Sequence, residues 1–138
     1  MNNEPRVISF IMETKDGKQA VYAKTRLVWR KWLKQNSQSE KSVWLILYHK
    51  KSTVKSVNYN DAIEEALCFG WIDSLTKNRD AESFYVTFTP RKQKSNWSKS
   101  NKDRAERMIE KGLMTQHGQK FIDIAKGSGK WEAAENRI

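Results

Sequence analysis

The chain has 138 residues, room for one domain that can bury roughly two-thirds of its unfolded surface without staples. Only 38% of it is hydrophobic, but six Trp, five Phe and four Tyr predict a small, aromatic-rich core, and 26 Lys and Arg against 16 Asp and Glu leave a net charge of +10. The lone Cys68 excludes an internal disulfide, no Cys/His cluster has metal-ligand spacing, and neither a spanning apolar run nor a signal-peptide start is visible, so a reduced, cytoplasmic protein without cofactor or metal is expected.

In chain order, Val7 to Met12 is apolar and β-prone, and Asp16-Gly17 predicts a two-residue hairpin turn with Gln19 to Lys24 as the return strand. Thr25 can cap a helix that places Val28, Trp29, Trp32 and Leu33 on one face and ends near Asn36. After a polar loop, Val43 to Tyr48 is a continuous apolar run and reads as a buried central strand. Asn58, with Asp61 three residues on, forms a weak capping box ahead of a helix whose apolar face is Ala62, Ile63, Ala66 and Leu67. Gly70 stands where a left-handed residue would stop that helix.

Trp71 to Lys77 and Phe84 to Thr89 predict a second hairpin, joined by the polar loop Asn78 to Ser83. Its second strand alternates, with Phe84, Val86 and Phe88 on one side and Tyr85, Thr87 and Thr89 on the other. Pro90 ends it. A helix starting near Ser95 or Ser98 should turn Trp97, Ala105, Met108 and Ile109 inward and close at Gly112. Thr115 should cap a last helix that buries Phe121, Ile122 and Ala125 and stops at Gly127. The expected fold is α+β: a small mixed or antiparallel sheet with about four helices packed on it, as a single domain over 1–138 whose first 24 residues are a hairpin extension.

Several stretches together carry a family resemblance: Trp29 to Leu33 (WRKWL), Trp44 to Lys51, Ala62 to Asp73 (AIEEALCFGWID), Phe88 to Arg91 (FTPR), Ser95 to Ser98 (SNWS), Asn101 to Glu106, Gly112 to Thr115 (GLMT) and Gly129 to Glu132 (GKWE). In this order they resemble the YdeI/OmpD-associated, or bacteriocin-protection, family. The N-terminal hairpin is additional to the usual family start. The chain resembles a short form, because longer members continue past the GKW segment into a C-terminal helical portion. The resemblance implies a bacterial protein tied to protection against bacteriocins and cationic antimicrobial peptides, and implies no catalytic residues.

Candidate sites cluster in two blocks. Asp73 stands early in a strand, where Asp is disfavoured, and could pair with Arg91 or Lys77 over a pocket floored by Trp71. Its plainer reading is a solvated or ion-paired residue that fixes register. Arg91, Lys94, Ser95, Asn96, Trp97 and Ser98 combine cations, hydroxyls and a helix start, and between Arg91 and Lys111 eight Lys/Arg meet three acids. Backbone N–H groups at that helix N-terminus could bind an anion that Arg91 grips bidentately, with Trp97 stacking a base or sugar. An ordinary solvated loop with Trp97 in the core is the competing reading. Cys68, between Leu67 and Phe69, reads as a buried small hydrophobe rather than a nucleophile. His49 and His117 are too scattered for a metal site.

Three functions compete. The first is a non-enzymatic stress-protection or interaction domain with a protein partner. The second is nucleic-acid or nucleotide binding through the basic, Trp-containing face, although no helix-turn-helix, RRM or zinc-finger pattern is present. The third is an enzyme on a small anionic substrate, with Asp73 as acid or base and Arg91 as clamp; no phosphate loop, triad or paired-carboxylate pattern supports it.

Overall fold

The computed structural model describes residues 11–137; the Val7 to Phe10 part of the expected first strand lies outside them. Strands β1 (Ile11–Lys15) and β2 (Lys18–Tyr22) form the first hairpin, and both turn residues take positive φ, 53° at Asp16 and 80° at Gly17. That is the left-handed pair whose twist suits two paired strands. Helix α1 (Arg26–Asn36) then crosses to β3 (Val43–Tyr48), and α2 (Tyr59–Leu67) leads to the hairpin of β4 (Trp71–Asn78) and β5 (Ser83–Pro90). The chain continues through α3 (Lys99–Glu110), α4 (Gln116–Ser128), the short α5 (Lys130–Ala133) and one 3-10 turn, Ala134–Asn136.

The strands form one sheet in the order β1-β2-β3-β5-β4. β2 and β3 are parallel, as their helical crossover requires, and the remaining pairs are antiparallel. The expected α+β architecture with a mixed sheet is present. β3 is the middle strand, and its run is apolar throughout because both of its faces are covered. Val43, Leu45 and Leu47 join Val21, Val86, Phe88 and Trp71 under the helices, while Trp44 and Ile46 join Ala20 and Tyr85 in a smaller cluster on the opposite face.

Aromatic rings dominate the main core. Trp29 stacks on Trp32 with centroids 5.4 Å apart, Trp29 meets Phe88 at 5.1 Å, and Trp32 meets Trp71 edge-on at 5.8 Å. A buried indole N–H needs an acceptor. Trp29 donates to the Ala62 carbonyl and Trp71 to the Ser37 carbonyl, each at 3.0 Å, so the rings also tie α1 to α2 and β4 to the end of α1.

The helix signals worked locally. Thr25 and Asn58 cap α1 and α2 through their side chains, and Asn58 and Asp61 bond reciprocally. Ser98, of the two serines considered, caps α3. Three details differ from expectation. Ile109 is 40% exposed, because the buried strip of α3 is made by Lys102, Ala105 and Met108. Thr115 occupies the cap position of α4, but its hydroxyl donates to the Cys68 carbonyl instead of accepting from the helix. α4 runs through Gly127 and ends where Gly129 turns left-handed at φ 81°.

Two glycines let α4 pack closely against the chain at the end of α2. Gly70, at φ 76°, stops the chain after α2, and a Cβ there would meet Phe121 and the His117 carbonyl at 2.7 and 2.8 Å. Gly118 lets α4 lie directly on the end of α2: a Cβ would stand 2.4 Å from the Leu67 carbonyl oxygen and 2.6 Å from that of Cys68. Among the described residues, no helix is long and apolar enough to cross a membrane.

Candidate functional site

The structure separates the two sequence blocks. Trp71 is buried core, and beside it lies only a cavity of about 140 Å³ that Asp73 and Arg91 do not line. Asp73 is half-buried and accepts a 2.7 Å hydrogen bond from the Tyr59 hydroxyl. Lys77 is exposed and pairs with Asp16 at 3.0 Å. The pairing of Asp73 with Arg91 or Lys77 is therefore absent. Through that bond Asp73 ties β4 to the first residue of α2.

The second block does assemble. Arg91 follows the last residue of β5, where its N–H donates to the Gly70 carbonyl at 2.8 Å and fixes the chain's exit from the sheet. From there its side chain turns back under the loop. Nη2 donates to Ser95 Oγ and to the Asn96 carbonyl, both at 3.0 Å, and the guanidinium lies 3.9 Å from the Trp97 ring centroid. Trp97 is buried with its edge against Trp131, as the core reading held. Ser95 in turn donates to the Lys92 carbonyl at 2.8 Å, closing a tight polar turn. Lys94 is exposed, and its carbonyl accepts from Lys130.

Arg91 is only 7% exposed, yet no carboxylate lies within ion-pair distance of it among the described residues. Among the described residues its buried Nε–H has no partner. Burial pulls the guanidinium down to about 10, and only the field of Asp73 opposes that shift. Arg26, Arg30, Arg79 and Arg107 each pair with at least one carboxylate, and the half-buried Arg104 bonds the Asn60 and Asn101 side-chain oxygens, both at 2.8 Å. Burying a cation without a carboxylate partner is costly, and two hydrogen bonds and the Trp97 ring offset that cost only in part at Arg91.

A cavity of about 340 Å³ opens over it, walled by Ile72 and Thr89 from the sheet and by Ser95, Asn96, Ser98 and Asn101 from the loop and α3. The N-terminus of α3 contributes less than its position suggests. The Lys99 N–H donates to the Arg137 carbonyl at 2.7 Å, and the Asn101 N–H donates to Ser98 Oγ at 3.1 Å. The positive character of the cavity therefore comes from Arg91 and the neighbouring Lys92 rather than from free helix N–H groups.

Two features were not anticipated. Glu64 and Glu65, at 4% and 2% exposure, are buried between three helices. Arg26 bonds both, Arg30 bonds Glu65 at 2.9 Å, and Arg107 bonds Glu64 at 3.1 Å. Burial raises the Glu64 carboxyl, but the hydrogen bonds from Arg26 and Arg107 outweigh it and hold the group below its ordinary range. The available signal was the pair Arg26 and Arg30, one turn apart on α1, facing adjacent acids on α2. The second feature is a larger cavity, about 670 Å³, between the end of β3 and the start of α2.

Cys68 is fully buried, and its thiol is pushed up to about 11 by burial, against the pull of Arg30. That is the inert cysteine the sequence suggested. Among the described residues no cluster of His, Cys, Asp and Glu could hold a metal ion.

No curated protein and no solved structure matches the chain. Residues 21–121, which run from the end of β2 into the first half of α4 and include Arg91 and its cavity wall, match the family model described as Domain of unknown function (DUF8412). The chain belongs to that family.

Proposed function

We propose that this domain binds a small oxyanion, of the phosphate, sulfate or carboxylate class, against Arg91. One observation carries the reading: a guanidinium 7% exposed, without a carboxylate partner and with an unsatisfied Nε–H, lines an open cavity. An oxyanion would supply the missing countercharge, and planar guanidinium is the side chain best shaped to receive one. Trp97 and Ser95 hold the group in place beforehand, so little ordering is needed on binding. The role is a non-enzymatic one. The resemblance to the YdeI/OmpD-associated family belongs to the same proposal and suggests that the bound anion serves bacterial stress protection, as part of a partner or as a free ligand.

Titration of the 15N-labelled protein with sulfate and with inorganic phosphate at low ionic strength tests the reading. Saturable shifts are expected at Ser95, Asn96 and Asn101. They should vanish in Arg91→Gln and weaken at least tenfold in Asn101→Asp, which places a carboxylate on the cavity wall while leaving Arg91 intact. No saturable shift in the unaltered protein, or equal binding by both variants, would overturn it.

A further inference from the structure

The larger cavity lies elsewhere and stands on separate observations. It opens at the C-terminal end of β3, under the loop that leads to α2, and encloses about 670 Å³, within the range of small-molecule sites. Three aromatic rings form one wall. His49 lies 5.2 Å from Phe84 at an interplanar angle of 30°, and Tyr59 lies 6.2 Å from Phe84 at 42°. His49 is exposed, and Phe84 and Tyr59 are half-buried, so the wall is wetted apolar surface. A planar ligand stacking there would remove that water.

The loop between β3 and α2, which carries His49 of this wall, is pinned at several points. The His49 N–H donates to the Glu82 carbonyl at 2.9 Å, the Tyr48 N–H to Ser56 Oγ at 2.9 Å, and the Val57 N–H to the Ala23 carbonyl at 3.0 Å. The Tyr22 hydroxyl donates to the Lys55 carbonyl. The cavity is thus held open by a tied loop rather than by a chance gap between side chains.

Its charge is one-sided. Lys50 and Lys55 line it, and neither has a carboxylate partner among the described residues. The one acid in the lining, Asp61, is neutralised by Arg26 at 3.0 Å. The Asn60 side-chain oxygen, also at the wall, is held by Arg104 at 2.8 Å and leaves its amide N–H₂ to meet an acceptor on a ligand.

We propose that this cavity is a second site, for a planar heteroaromatic ring bearing an anionic group, a ligand of the mononucleotide class. The ring stacks on the wall of His49, Phe84 and Tyr59, and the anion faces Lys50 and Lys55. The site does not depend on Arg91.

The test is titration of the 15N-labelled full chain with adenosine monophosphate, adenosine and inorganic phosphate in turn. Adenosine monophosphate should shift the amides of His49, Lys55, Tyr59 and Asn60 saturably, adenosine should bind at least tenfold more weakly, and phosphate alone should leave these amides in place. His49→Ala and Lys55→Glu, both at exposed positions, should each weaken the nucleotide at least fivefold, whereas Arg91→Gln should leave its affinity unchanged. The proposal fails if millimolar nucleotide gives no saturable shift, or if the shifts are confined to Ser95 through Asn101. It also fails if neither exposed-site variant alters binding.

Discussion

Replacing Glu64 by Gln should destabilise the domain by about 2–3 kcal/mol. The carboxylate is 4% exposed and accepts from Arg26 Nη2 at 2.8 Å and from Arg107 Nε and Nη2 at 3.2 and 3.1 Å. Breaking a fully buried pair from one side costs about 3–5 kcal/mol, because the partner charge is left uncompensated. Here the cost is lower for a definite reason. Arg26 keeps Glu65 and Asp61, and the Arg107 side chain, at 49% exposure, keeps much of its hydration. For a chain of this length the change corresponds to a fall in Tm of roughly 6–12 °C.

The pH dependence adds a second readout. The Glu64 carboxyl is held below its ordinary value, so its stabilisation is complete above the unfolded-state value near ~4.3 and fades as pH falls through the lower folded-state value. Urea denaturation followed by Trp fluorescence at pH 7 and at about pH 3 measures both. The unaltered protein should lose more stability between the two than Glu64→Gln does, with the exposed Glu82→Gln as control. A cost under about 0.5 kcal/mol at pH 7, together with parallel pH profiles, would refute the argument that this carboxylate joins α1, α2 and α3.

A glycine pair separates steric fit from backbone entropy. Gly118→Ala drives a methyl into two carbonyl oxygens that cannot move without separating α4 from α2, so a loss of several kcal/mol is expected in the same denaturation assay. Gly127→Ala, in the same helix with nothing within 4 Å, should instead stabilise by about 0.5–1 kcal/mol. Cys68, buried and with its thiol raised to about 11, should resist alkylation by iodoacetamide at pH 8 until urea unfolds the chain; rapid labelling of the folded protein would contradict the burial. Tyr59→Phe removes the bond to Asp73 and leaves a half-buried carboxylate without its donor, for an expected loss of about 1–2 kcal/mol by chemical denaturation.

What the sequence by itself determined is whatever depends on a few neighbouring residues. Asp16-Gly17 makes a hairpin, Asn58 and Asp61 start a helix, Gly70 stops one, and the unbroken run Val43 to Tyr48 becomes a strand covered on both faces, because turn chemistry, capping and side-chain period act within one or two turns of chain. Tertiary structure alone decided which charges meet. Glu64 and Glu65 find arginines 35 to 43 positions away, so two acids between the apolar positions of α2 became the join between three helices. Asp73 found Tyr59 instead of Arg91, and Arg91 was folded into the interior with no carboxylate at ion-pair distance among the described residues. Whether a cation is compensated is a property of everything within a few ångströms of it, and that neighbourhood exists only after the chain has closed. The same holds for the cavity at the end of β3, whose rings come from β5, α2 and the loop between β3 and α2.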